Sequence, residues 1–391
     1  MINISKLYCG LASDSDSLRY GHGQCSGSGA ARVKRPIVVW SVTRRCNLRC
    51  AHCYTDSDEQ TADGELTTQE CQAVIDDLAA FQVPAVLLSG GEPTTRRDLF
   101  ELARYAADKG LRLTLSTNGT MITKCIAATI KRVGFTYVGV SLDGIGAVND
   151  RFRGVEGAFE RAVAGIRHCK AVGQRVGLRM TLTDHNIDQL PGIFDFVEAE
   201  GIDRICFYHL VYAGRGRKIR ARDLSLTKTR QAVEYICNRT KQIVQSGKAV
   251  EVLTVDNHAD GPFVLLKLRR EGSPLACAAK ELLRRSGGAL SSSGVGIGNI
   301  DFVGNVHPDQ FWMHHTLGNV RQRPFSEIWQ DKTEPLLAGL RNRAEKIHGR
   351  CRSCRFWDMC GGSLRVRADL ALGDPWAPDP ACYLTDEEVN R

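Results

Sequence analysis

Short apolar runs alternate with longer amphipathic segments from residue 36 onward, at a spacing of about 25–35 residues. The short runs are apolar at almost every position, which is typical of strands covered on both faces. The longer segments repeat apolar residues at helical spacing, as at Val74, Leu78 and Phe81 after the candidate caps Thr67 and Thr68. The pattern predicts strands at 36–42, 85–88, 112–116, 137–141, 176–181 and 204–208, and helices at 67–81, 97–109, 121–133, 159–171, 187–200 and 228–246.

This order of elements predicts an α/β fold with a parallel sheet. Eight strands would close a full barrel, so the six predicted strands indicate a partial (β/α)6 TIM-like barrel that is open on one side. Beyond it, a turn at Gly304–Asn305 predicts a hairpin over 300–308. We therefore expect an N-terminal extension at 1–35, the barrel at 36–250 and a cysteine-rich C-terminal domain at 251–391.

The composition excludes several classes of protein. The chain has 391 residues, with 52 Lys+Arg against 44 Asp+Glu and a net charge of +8. Hydrophobic residues make up 43% and charged residues 25%, which is ordinary for a globular protein and not for a fibrous or disordered one. The chain has no apolar run of the roughly 18 residues that a spanning helix needs, and it starts with neither a signal nor a transit peptide. We expect a cytoplasmic protein without a membrane partner.

The fifteen cysteines are the first anomaly. Disulfides are disfavoured in a reducing compartment, so clustered thiols indicate a metal site. Cys46, Cys50 and Cys53 follow the first predicted strand, at the sheet edge where α/β folds build their sites. Three thiolates can hold three corners of an iron–sulfur cube and leave one iron open to a small molecule. The alternative is a zinc knuckle completed by His52 or His22.

A second cysteine cluster follows in the C-terminal domain. Its spacing provides four thiolates and predicts a closed site, either structural zinc or an auxiliary iron–sulfur cluster. Its members are Cys351, Cys354, Cys360 and Cys382. The scattered cysteines are expected to be small buried hydrophobic residues. They are Cys9, Cys25, Cys71, Cys125, Cys169, Cys206, Cys237 and Cys277.

The first cluster and three later segments resemble the motifs of the radical S-adenosylmethionine (SAM) enzymes. The segments are CNLRCAHCY at 46–54, SGGEP at 89–93, STNG at 116–119 and SLDG at 141–144. The resemblance implies that Cys46, Cys50 and Cys53 hold a catalytic [4Fe-4S] cluster whose open iron chelates SAM, and that reductive cleavage of SAM yields a 5′-deoxyadenosyl radical. It implies SAM contacts at Gly90, Gly91, Glu92, Ser116, Asn118, Ser141 and Asp143. Gly90 and Gly91 permit close backbone approach.

Beside such a core, the second cluster resembles the auxiliary-cluster domains of the SPASM/Twitch group. The resemblance implies a second [4Fe-4S] cluster on its four cysteines. Asp309 stands where that group's fuller pattern has a cysteine after Gly304, so we expect one auxiliary cluster and consider Asp309 a candidate extra ligand.

Further segments are similar to the tetrapyrrole branch of the family, which acts in haem and haem d1 biosynthesis. They lie at 4–10, 304–312, 317–320, 323–329 and 351–366. The resemblance implies loss of two acetate side chains from 12,18-didecarboxysirohaem to give iron-coproporphyrin III, with an electron donor such as a ferredoxin or flavodoxin. The alternatives are loss of propionates from the same macrocycle, peptide maturation, and a zinc-stabilised binding module without catalysis.

The basic balance agrees with an anionic iron tetrapyrrole. The run Arg215–Arg222 could pair with carboxylates, or it could be a solvated loop. Nucleic acid is disfavoured because the run has no interleaved aromatic residues. His307, His314 and His315 are candidates for ligating the substrate's iron, with a structural role as the alternative.

Overall fold

The computed structural model describes residues 1–13, 16–20 and 35–390, so His22 and Cys25 lie outside the described residues. Eleven strands of this part of the chain form one open sheet. They are β1 (Ile2–Asn3), β2 (Ile37–Ser41), β3 (Val86–Ser89), β4 (Leu113–Thr117), β5 (Tyr137–Ser141), β6 (Val176–Leu182), β7 (Arg204–His209), β8 (Glu251–Val255), β9 (Ile297–Ile300), β10 (Asn305–His307) and β11 (Gly318–Asn319). Their order in the sheet is β1-β8-β7-β6-β5-β4-β3-β2-β9-β10-β11.

The strands β2 to β8 are parallel and adjacent in chain order, as in a TIM-like barrel. All six predicted strands are confirmed. A seventh, β8, was missed because it begins with Glu251, which reads as a surface residue. In the structure Glu251 is 3% exposed, and its carboxylate lies 2.5 Å from Arg204 Nη2 on the neighbouring strand. The barrel is partial, as predicted, but one strand longer.

Helices alternate with the barrel strands and cover their outer face. The described helices are α1 (Ile4–Cys9), α2 (Asp16–Tyr20), α3 (Thr68–Ala80), α4 (Leu99–Asp108), α5 (Lys124–Val133), α6 (Ala147–Arg153), α7 (Ala158–Ala171), α8 (Leu190–Ala199), α9 (Leu226–Gln245), α10 (Asp260–Arg270), α11 (Ala276–Ser286), α12 (Phe325–Gln330), α13 (Pro335–Arg341), α14 (Arg343–Lys346), α15 (Trp357–Cys360), α16 (Arg365–Leu372) and α17 (Asp386–Asn390). The predicted cap is confirmed at Thr67, which forms a reciprocal capping box with Glu70.

The region after the barrel continues the same sheet. The hairpin predicted over 300–308 is confirmed, with Ile300 of β9 opposite Val306 of β10 and Gly304 in its turn at a φ of +88°. On its other side β9 runs parallel to β2. The main chain on both sides of residue 250 therefore belongs to one sheet, and the division into domains at that point stays a prediction.

The scattered cysteines are only partly in the interior. Four are buried as predicted, namely Cys71, Cys169, Cys206 and Cys237. Cys9 is half-buried, whereas the prediction is wrong for Cys125 and Cys277, which are exposed. The exposed pair lies on the solvent face of the amphipathic helices α5 and α11, where a small thiol costs little. Within the described residues, no helix has the length and apolar character needed to span a bilayer.

Candidate functional site

The first cysteine cluster lies in the loop after β2, at the carboxyl edge of the parallel strands. The backbone of this loop packs on the turn 89–93 that follows β3. The Gly91 N–H donates to the Thr43 carbonyl at 2.8 Å, and the Glu92 N–H donates to the Arg45 carbonyl at 2.8 Å. The turn therefore determines where the cysteine loop starts.

Glycine is required on the turn side of this contact. A Cβ at Gly91 would come within 2.3 Å of the Arg45 carbonyl oxygen, and a Cβ at Gly90 would come within 2.4 Å of the Thr43 carbonyl oxygen. Gly90 also has a φ of +139°, which L side chains rarely adopt. The close backbone approach predicted at the two glycines is thus made by the cysteine loop itself.

Hydrogen-bond donors point at the thiols of the cluster. The Leu48 N–H donates to Cys46 Sγ at 3.4 Å, and the Ser57 N–H donates to Cys53 Sγ at 3.4 Å. Asn118 Nδ2 lies 4.0 Å from Cys46 Sγ. Donors of this kind stabilise thiolates, and hydrogen bonds to sulfur are one of the factors that set iron–sulfur potentials.

The thiols need a metal to stay deprotonated. Burial raises the pKa of Cys46 to about 12, and burial also raises the pKa of Cys50 against the opposing charge of Arg153. Such thiols remain protonated at neutral pH unless a metal replaces the proton. Soft sulfur donors with hydrogen bonds aimed at them therefore fit an iron–sulfur cluster at this loop.

A buried ion pair stands behind Cys50. Arg153 Nη1 donates to Cys50 Sγ at 3.6 Å, and Arg153 Nη2 lies 2.6 Å from Asp143 Oδ2. His52 Nε2 is 3.7 Å from the same oxygen, and burial lowers the pKa of His52 to about 4, so this imidazole is neutral at pH 7. The Thr181 N–H donates to Asp143 Oδ1 at 2.7 Å. Asp143 thus pairs with Arg153, but its Oδ2 has no hydrogen-bond partner among the described residues, and its contact with SAM stays a prediction.

Glu92 is also occupied by the protein. It is fully buried, and its carboxylate accepts from the Thr94 N–H at 3.1 Å, the Thr117 hydroxyl at 2.8 Å and the Asn118 N–H at 2.7 Å. Burial raises the pKa of Glu92, and these hydrogen bonds oppose the rise. Glu92 therefore ties the turn after β3 to the end of β4, and its contact with SAM stays a prediction.

A cavity of about 590 Å³, the cluster cavity, opens between the cysteine loop and the strand ends. All three cysteines line it, and so do five of the residues predicted to contact SAM, whereas the fully buried Glu92 and Asp143 lie behind its wall. The five are Gly90, Gly91, Ser116, Asn118 and Ser141. The structure brings these residues together beside the thiols, and their contact with SAM stays a prediction.

A second cavity of about 750 Å³, the barrel cavity, adjoins the first and is lined by residues of β2 to β7. Arg179 on β6 crosses it, and its Nη1 donates to the Ser116 hydroxyl at 2.5 Å. Gly139 on β5 makes room for this side chain, because a Cβ there would lie 2.4 Å from Arg179 Nε. Among the described residues, Arg179 Nε has no hydrogen-bond partner. Arg179 thus lies half-buried on the cavity wall, and its Nε packs on Gly139 without a hydrogen-bond partner in the described chain.

The far wall of the barrel cavity carries His209, Asp256, Gln310 and Phe311. Asp256 directly follows β8 and has a φ of +66°. Its Oδ2 is buried without a partner in the described chain, and burial raises its pKa to about 7. Residues from beyond the barrel, at 310 and 311, therefore help to close the cavity.

The predicted basic run has two kinds of member. Arg215 turns inward, where its Nε donates to the Cys50 carbonyl at 2.8 Å and its Nη1 donates to the Ser57 carbonyl at 2.8 Å. Arg215 thus holds the cysteine loop, and the pairing of the run with substrate carboxylates stays a prediction. The other cations of the run are exposed. They are Arg217, Lys218, Arg220 and Arg222.

The three histidines predicted as candidate iron ligands lie away from the linings of both cavities. His307 is buried with both ring nitrogens engaged, at 2.8 Å from the His315 carbonyl oxygen and 3.3 Å from Asp301 Oδ2. His314 and His315 each pair with a carboxylate, at 2.7 Å and 3.1 Å. These contacts favour the structural alternative.

The second cysteine cluster surrounds α15. Cys351 ends a short 3-10 turn and Cys360 ends α15, while Cys354 and Cys382 come from flanking loops. Burial raises the pKa of all four thiols. The other three thiols raise the pKa of Cys360 further, so the four cysteines lie close together.

Buried positive charge lies beside this second cluster. Arg343 and Arg365 are 2% and 1% exposed, and their guanidinium groups donate to backbone carbonyls such as that of Ala377. Burial lowers the pKa of Arg343 to about 9, and the Cys360 thiol opposes the shift. Cations in the interior without a carboxylate bonded to them favour an anionic neighbour, which a metal–thiolate centre provides.

Asp309 is held by the protein as well. It is 3% exposed and accepts from the Ser293 hydroxyl and from the Phe311 N–H at 2.8 Å. Its role as an extra ligand stays a prediction. In the described ranges, no three or more His, Cys, Asp and Glu side chains are grouped to hold a single metal ion. A [4Fe-4S] cubane does not need several side chains around one metal ion, because each cysteine binds a different iron.

Several residues of the site were not predicted from the sequence. Arg153 lies 103 residues from Cys50, and no motif spacing connects the two. Arg179 sits in a strand whose apolar pattern hides it. The only sequence signal for Arg179 was a charged residue inside an apolar strand. The sequence alone does not show whether such a side chain points into the barrel or out to solvent.

Known proteins resemble this chain along its whole length. The model of the Radical SAM superfamily matches residues 40–197, and that of a SPASM iron–sulfur cluster-binding domain matches residues 297–355. Fe-coproporphyrin III synthase of Methanosarcina barkeri is 52% identical, covering 100% of this chain and 99% of the relative. Pre-heme d1 synthase of Dinoroseobacter shibae is 46% identical, covering 92% of this chain and 89% of the relative. The fold is also similar to Streptococcus suis SuiB bound to S-adenosylmethionine, with a TM-score of 0.71 and 20% identity over 90% of this chain and 78% of that one.

Gly91→Ala should displace the cysteine loop, because the new methyl group would meet the Arg45 carbonyl oxygen at 2.3 Å. We expect anaerobically reconstituted protein to lose about half its iron, since one of two cubanes would go. Gly192→Ala is the control, because its Cβ meets only an Ile145 side chain at an ordinary 3.5 Å. Full iron content in Gly91→Ala would contradict this account of the glycine pair.

Arg153→Gln should leave Asp143 as a buried, uncompensated carboxylate. Removing one partner of such a pair costs about 3–5 kcal/mol. Arg151→Gln, at an exposed position of α6, should change stability by less than about 0.5 kcal/mol. Urea unfolding followed by circular dichroism measures both variants, and equal midpoints would show that the ion pair does not stabilise the site.

Proposed function

Because this chain belongs to the radical SAM superfamily and carries a SPASM iron–sulfur domain, we propose that it removes side chains from an iron tetrapyrrole precursor of haem. Its product is iron-coproporphyrin III, formed by loss of two acetate groups from 12,18-didecarboxysirohaem. The observation that carries this proposal is the 52% identity, over the full length of both chains, to a protein named Fe-coproporphyrin III synthase.

The cysteine loop would supply the ligands of the cluster at which the reaction begins. When bound, the [4Fe-4S] cluster and SAM supply a carbon-centred radical that removes a hydrogen atom from the substrate. Cys46, Cys50 and Cys53 would hold the cluster, while Arg153 places a positive charge beside Cys50 Sγ. Arg215 fixes the loop from the other side through the Cys50 carbonyl. The protein thus orients the reactants and limits the motion of the loop.

The barrel cavity has properties that suit a large anionic macrocycle. The space within it, about 750 Å³, includes open solvent, so the cavity opens outward. Arg179 presents a guanidinium with an unpartnered Nε, and the planar guanidinium fork matches a carboxylate with two oxygens. We assign to Arg179 the recognition of one substrate carboxylate. Because His52, Tyr54 and Ser141 are among the residues that line both cavities, the proposed substrate and SAM sites would adjoin.

The rim between the two cavities helps to exclude water. Tyr54 and Phe311 meet edge to face, with ring centroids 5.3 Å apart. Tyr54 comes from the cysteine loop and Phe311 from beyond the barrel, so this contact joins the two regions over the site. Excluding water protects a reactive radical from side reactions.

The auxiliary [4Fe-4S] cluster belongs on the second set of cysteines, beside the buried Arg343 and Arg365. The electron for SAM cleavage would come from a ferredoxin or flavodoxin. These partners are part of the proposal, because reductive cleavage consumes an electron that the chain must receive from outside.

The second candidate is the haem d1 reaction, in which propionates leave instead of acetates. It is favoured by the 46% identity to pre-heme d1 synthase, which covers 92% of this chain. Both reactions would use the same cavity and cofactors. They differ in the mass of the fragment that is lost.

Anaerobically reconstituted protein should convert 12,18-didecarboxysirohaem to iron-coproporphyrin III when SAM and a reductant are present, with release of 5′-deoxyadenosine. Mass spectrometry of the macrocycle measures the conversion, and omission of SAM is the control. Loss of propionates would select the haem d1 reaction. An unchanged macrocycle alongside active SAM cleavage would refute the substrate assignment.

The two cysteine clusters should differ in what their loss does. Cys50→Ala should abolish SAM cleavage, whereas Cys354→Ala should leave cleavage that is uncoupled from macrocycle conversion. Cys125→Ala, at an exposed cysteine, is the matched control and should keep both activities. Chromatographic assays of 5′-deoxyadenosine and macrocycle separate the two effects. Equal loss in both cluster variants would instead indicate that the second cluster is structural.

A further inference from the structure

A buried arginine joins the second cysteine cluster to the wall of the barrel cavity. Arg367 lies in the first turn of α16, shortly after Cys360, and is 0% exposed. Its Nη1 donates to the Leu210 carbonyl at 2.9 Å, and its Nη2 donates to the Asp256 carbonyl. Leu210 follows β7 and Asp256 follows β8, and both residues line the barrel cavity. One guanidinium thus holds the main chain just after two strands of the barrel.

The charge of Arg367 is compensated by a carboxylate that belongs to the cysteine cluster. Arg367 Nε donates to Asp379 Oδ1 at 2.9 Å, and Arg367 Nη2 donates to Asp379 Oδ2 at 3.1 Å. The Asp379 carbonyl accepts from the Cys382 N–H at 3.1 Å. Burial raises the pKa of Cys351, and Arg365 and a hydrogen bond from the Asp379 backbone oppose the rise. Asp379 therefore contacts two cluster cysteines through its main chain and Arg367 through its side chain.

The loop after β8 has two further hydrogen bonds to the same region. The His258 N–H donates to the Ser363 hydroxyl at 3.1 Å, and Asn257 Nδ2 donates to the Ala381 carbonyl at 2.8 Å. The first acceptor lies three residues after a cluster cysteine, and the second directly precedes one. Three successive residues, 256 to 258, are therefore attached to the segments that carry the second cluster.

The backbone of Asp256 needs this support. Its φ of +66° lies in the left-handed region, which residues other than glycine adopt at an energetic cost. Such conformations persist where the surrounding structure fixes them, and they concentrate at functional sites. Here the Asp256 carbonyl is held by Arg367, and the next two residues are held by the segments around the cysteines. The conformation of this part of the cavity wall is thus fixed from outside the barrel.

We infer that Arg367 is a positioning residue for the tetrapyrrole substrate, because it makes the cavity wall at Leu210 and Asp256 depend on the order of the second cysteine cluster. The inference rests on the proposed function, since it takes the barrel cavity as the place of the macrocycle. The cluster segment consists of loops and short helices, which metal binding would order. That order reaches Asp379, then Arg367 and then the cavity wall. The second cluster therefore affects substrate placement through hydrogen bonds, independently of electron transfer.

The other two buried arginines beside the cluster do not form this link. Within the described chain, the hydrogen bonds of Arg343 and Arg365 go to the carbonyls of residues 293, 340, 361, 362, 375 and 377. All of these lie beyond β8 in the chain. Of the three arginines, Arg367 is the one that bonds to the wall of the barrel cavity.

The test uses the full-length protein, reconstituted anaerobically with both clusters, and iron-coproporphyrin III as the probe. Arg367→Lys keeps a positive charge for Asp379 but lacks the guanidinium fork that bonds both carbonyls at once. This variant should keep its iron content and bind the probe about tenfold more weakly in an absorption titration. Arg285→Lys, at an exposed position of α11, is the matched control and should bind as the wild type does.

Hydrogen exchange followed by mass spectrometry measures the link without any macrocycle. The His258 amide should exchange about tenfold faster in Arg367→Lys and in Cys382→Ala than in the wild type, while the amides of β5 stay protected. Ser363→Ala removes one hydroxyl and no charge, so it decides the matter if Arg367→Lys does not fold. It should bind the probe about threefold more weakly and speed the exchange at His258.

The outcomes separate the inference from the function on which it rests. Wild-type affinity in both Arg367→Lys and Ser363→Ala would overturn the inference and leave the proposed function standing, and so would unchanged exchange at His258 in Cys382→Ala. Loss of iron from Arg367→Lys with wild-type affinity in Ser363→Ala would also overturn it, because Arg367 would then serve the cluster alone. Failure of the wild type to bind the probe would overturn both.

Discussion

The cysteine loop packs backbone to backbone on the turn that follows β3, and the position of the whole site depends on this contact. Hydrogen bonds from Gly91 and Glu92 join the two segments, and only glycine leaves the space they need. Glu92 then ties the same turn to the end of β4 through Asn118. Gly90, Gly91 and the buried Glu92 carboxylate therefore fix the position of the cysteine loop relative to the sheet, although the loop has no regular structure of its own.

Charge is arranged in the interior to suit negative groups. Arg153 lies beside the first cluster, Arg179 crosses the barrel cavity, and Arg343 and Arg365 lie beside the second cluster. Burying a guanidinium is costly unless an anion compensates it. Asp143 compensates Arg153, whereas metal–thiolate clusters and a polycarboxylate macrocycle would supply an anion for the other three. The net charge of +8 agrees with this pattern. The positive charge at the site comes from these four arginines and not from the exposed members of the basic run.

The region beyond the barrel is part of the site. It contributes Phe311 to the wall of the barrel cavity. It also contributes Tyr383, whose hydroxyl donates to Asp260 Oδ1 of α10, and the other oxygen of Asp260 lies 2.9 Å from His209 Nε2 at the end of β7. Tyr383 directly follows Cys382 of the second cluster. Ordering that cluster would therefore also order Tyr383 and its contact with Asp260.

The sequence by itself determined the alternation of strands and helices, the capped helix start at Thr67, the hairpin near Gly304 and the two cysteine sets. These features are local, because a period, a cap or a spacing is contained within a few neighbouring residues. Only the tertiary structure decided that Glu251 lies in a buried strand, that Arg153 lies beside Cys50, and that His209 and not His307 lines the barrel cavity. Such contacts join residues far apart along the chain, as with Cys50 and Arg215, which are separated by 165 positions. No periodic pattern encodes them, since they depend on how the strands are ordered and how their ends meet at one edge of the sheet.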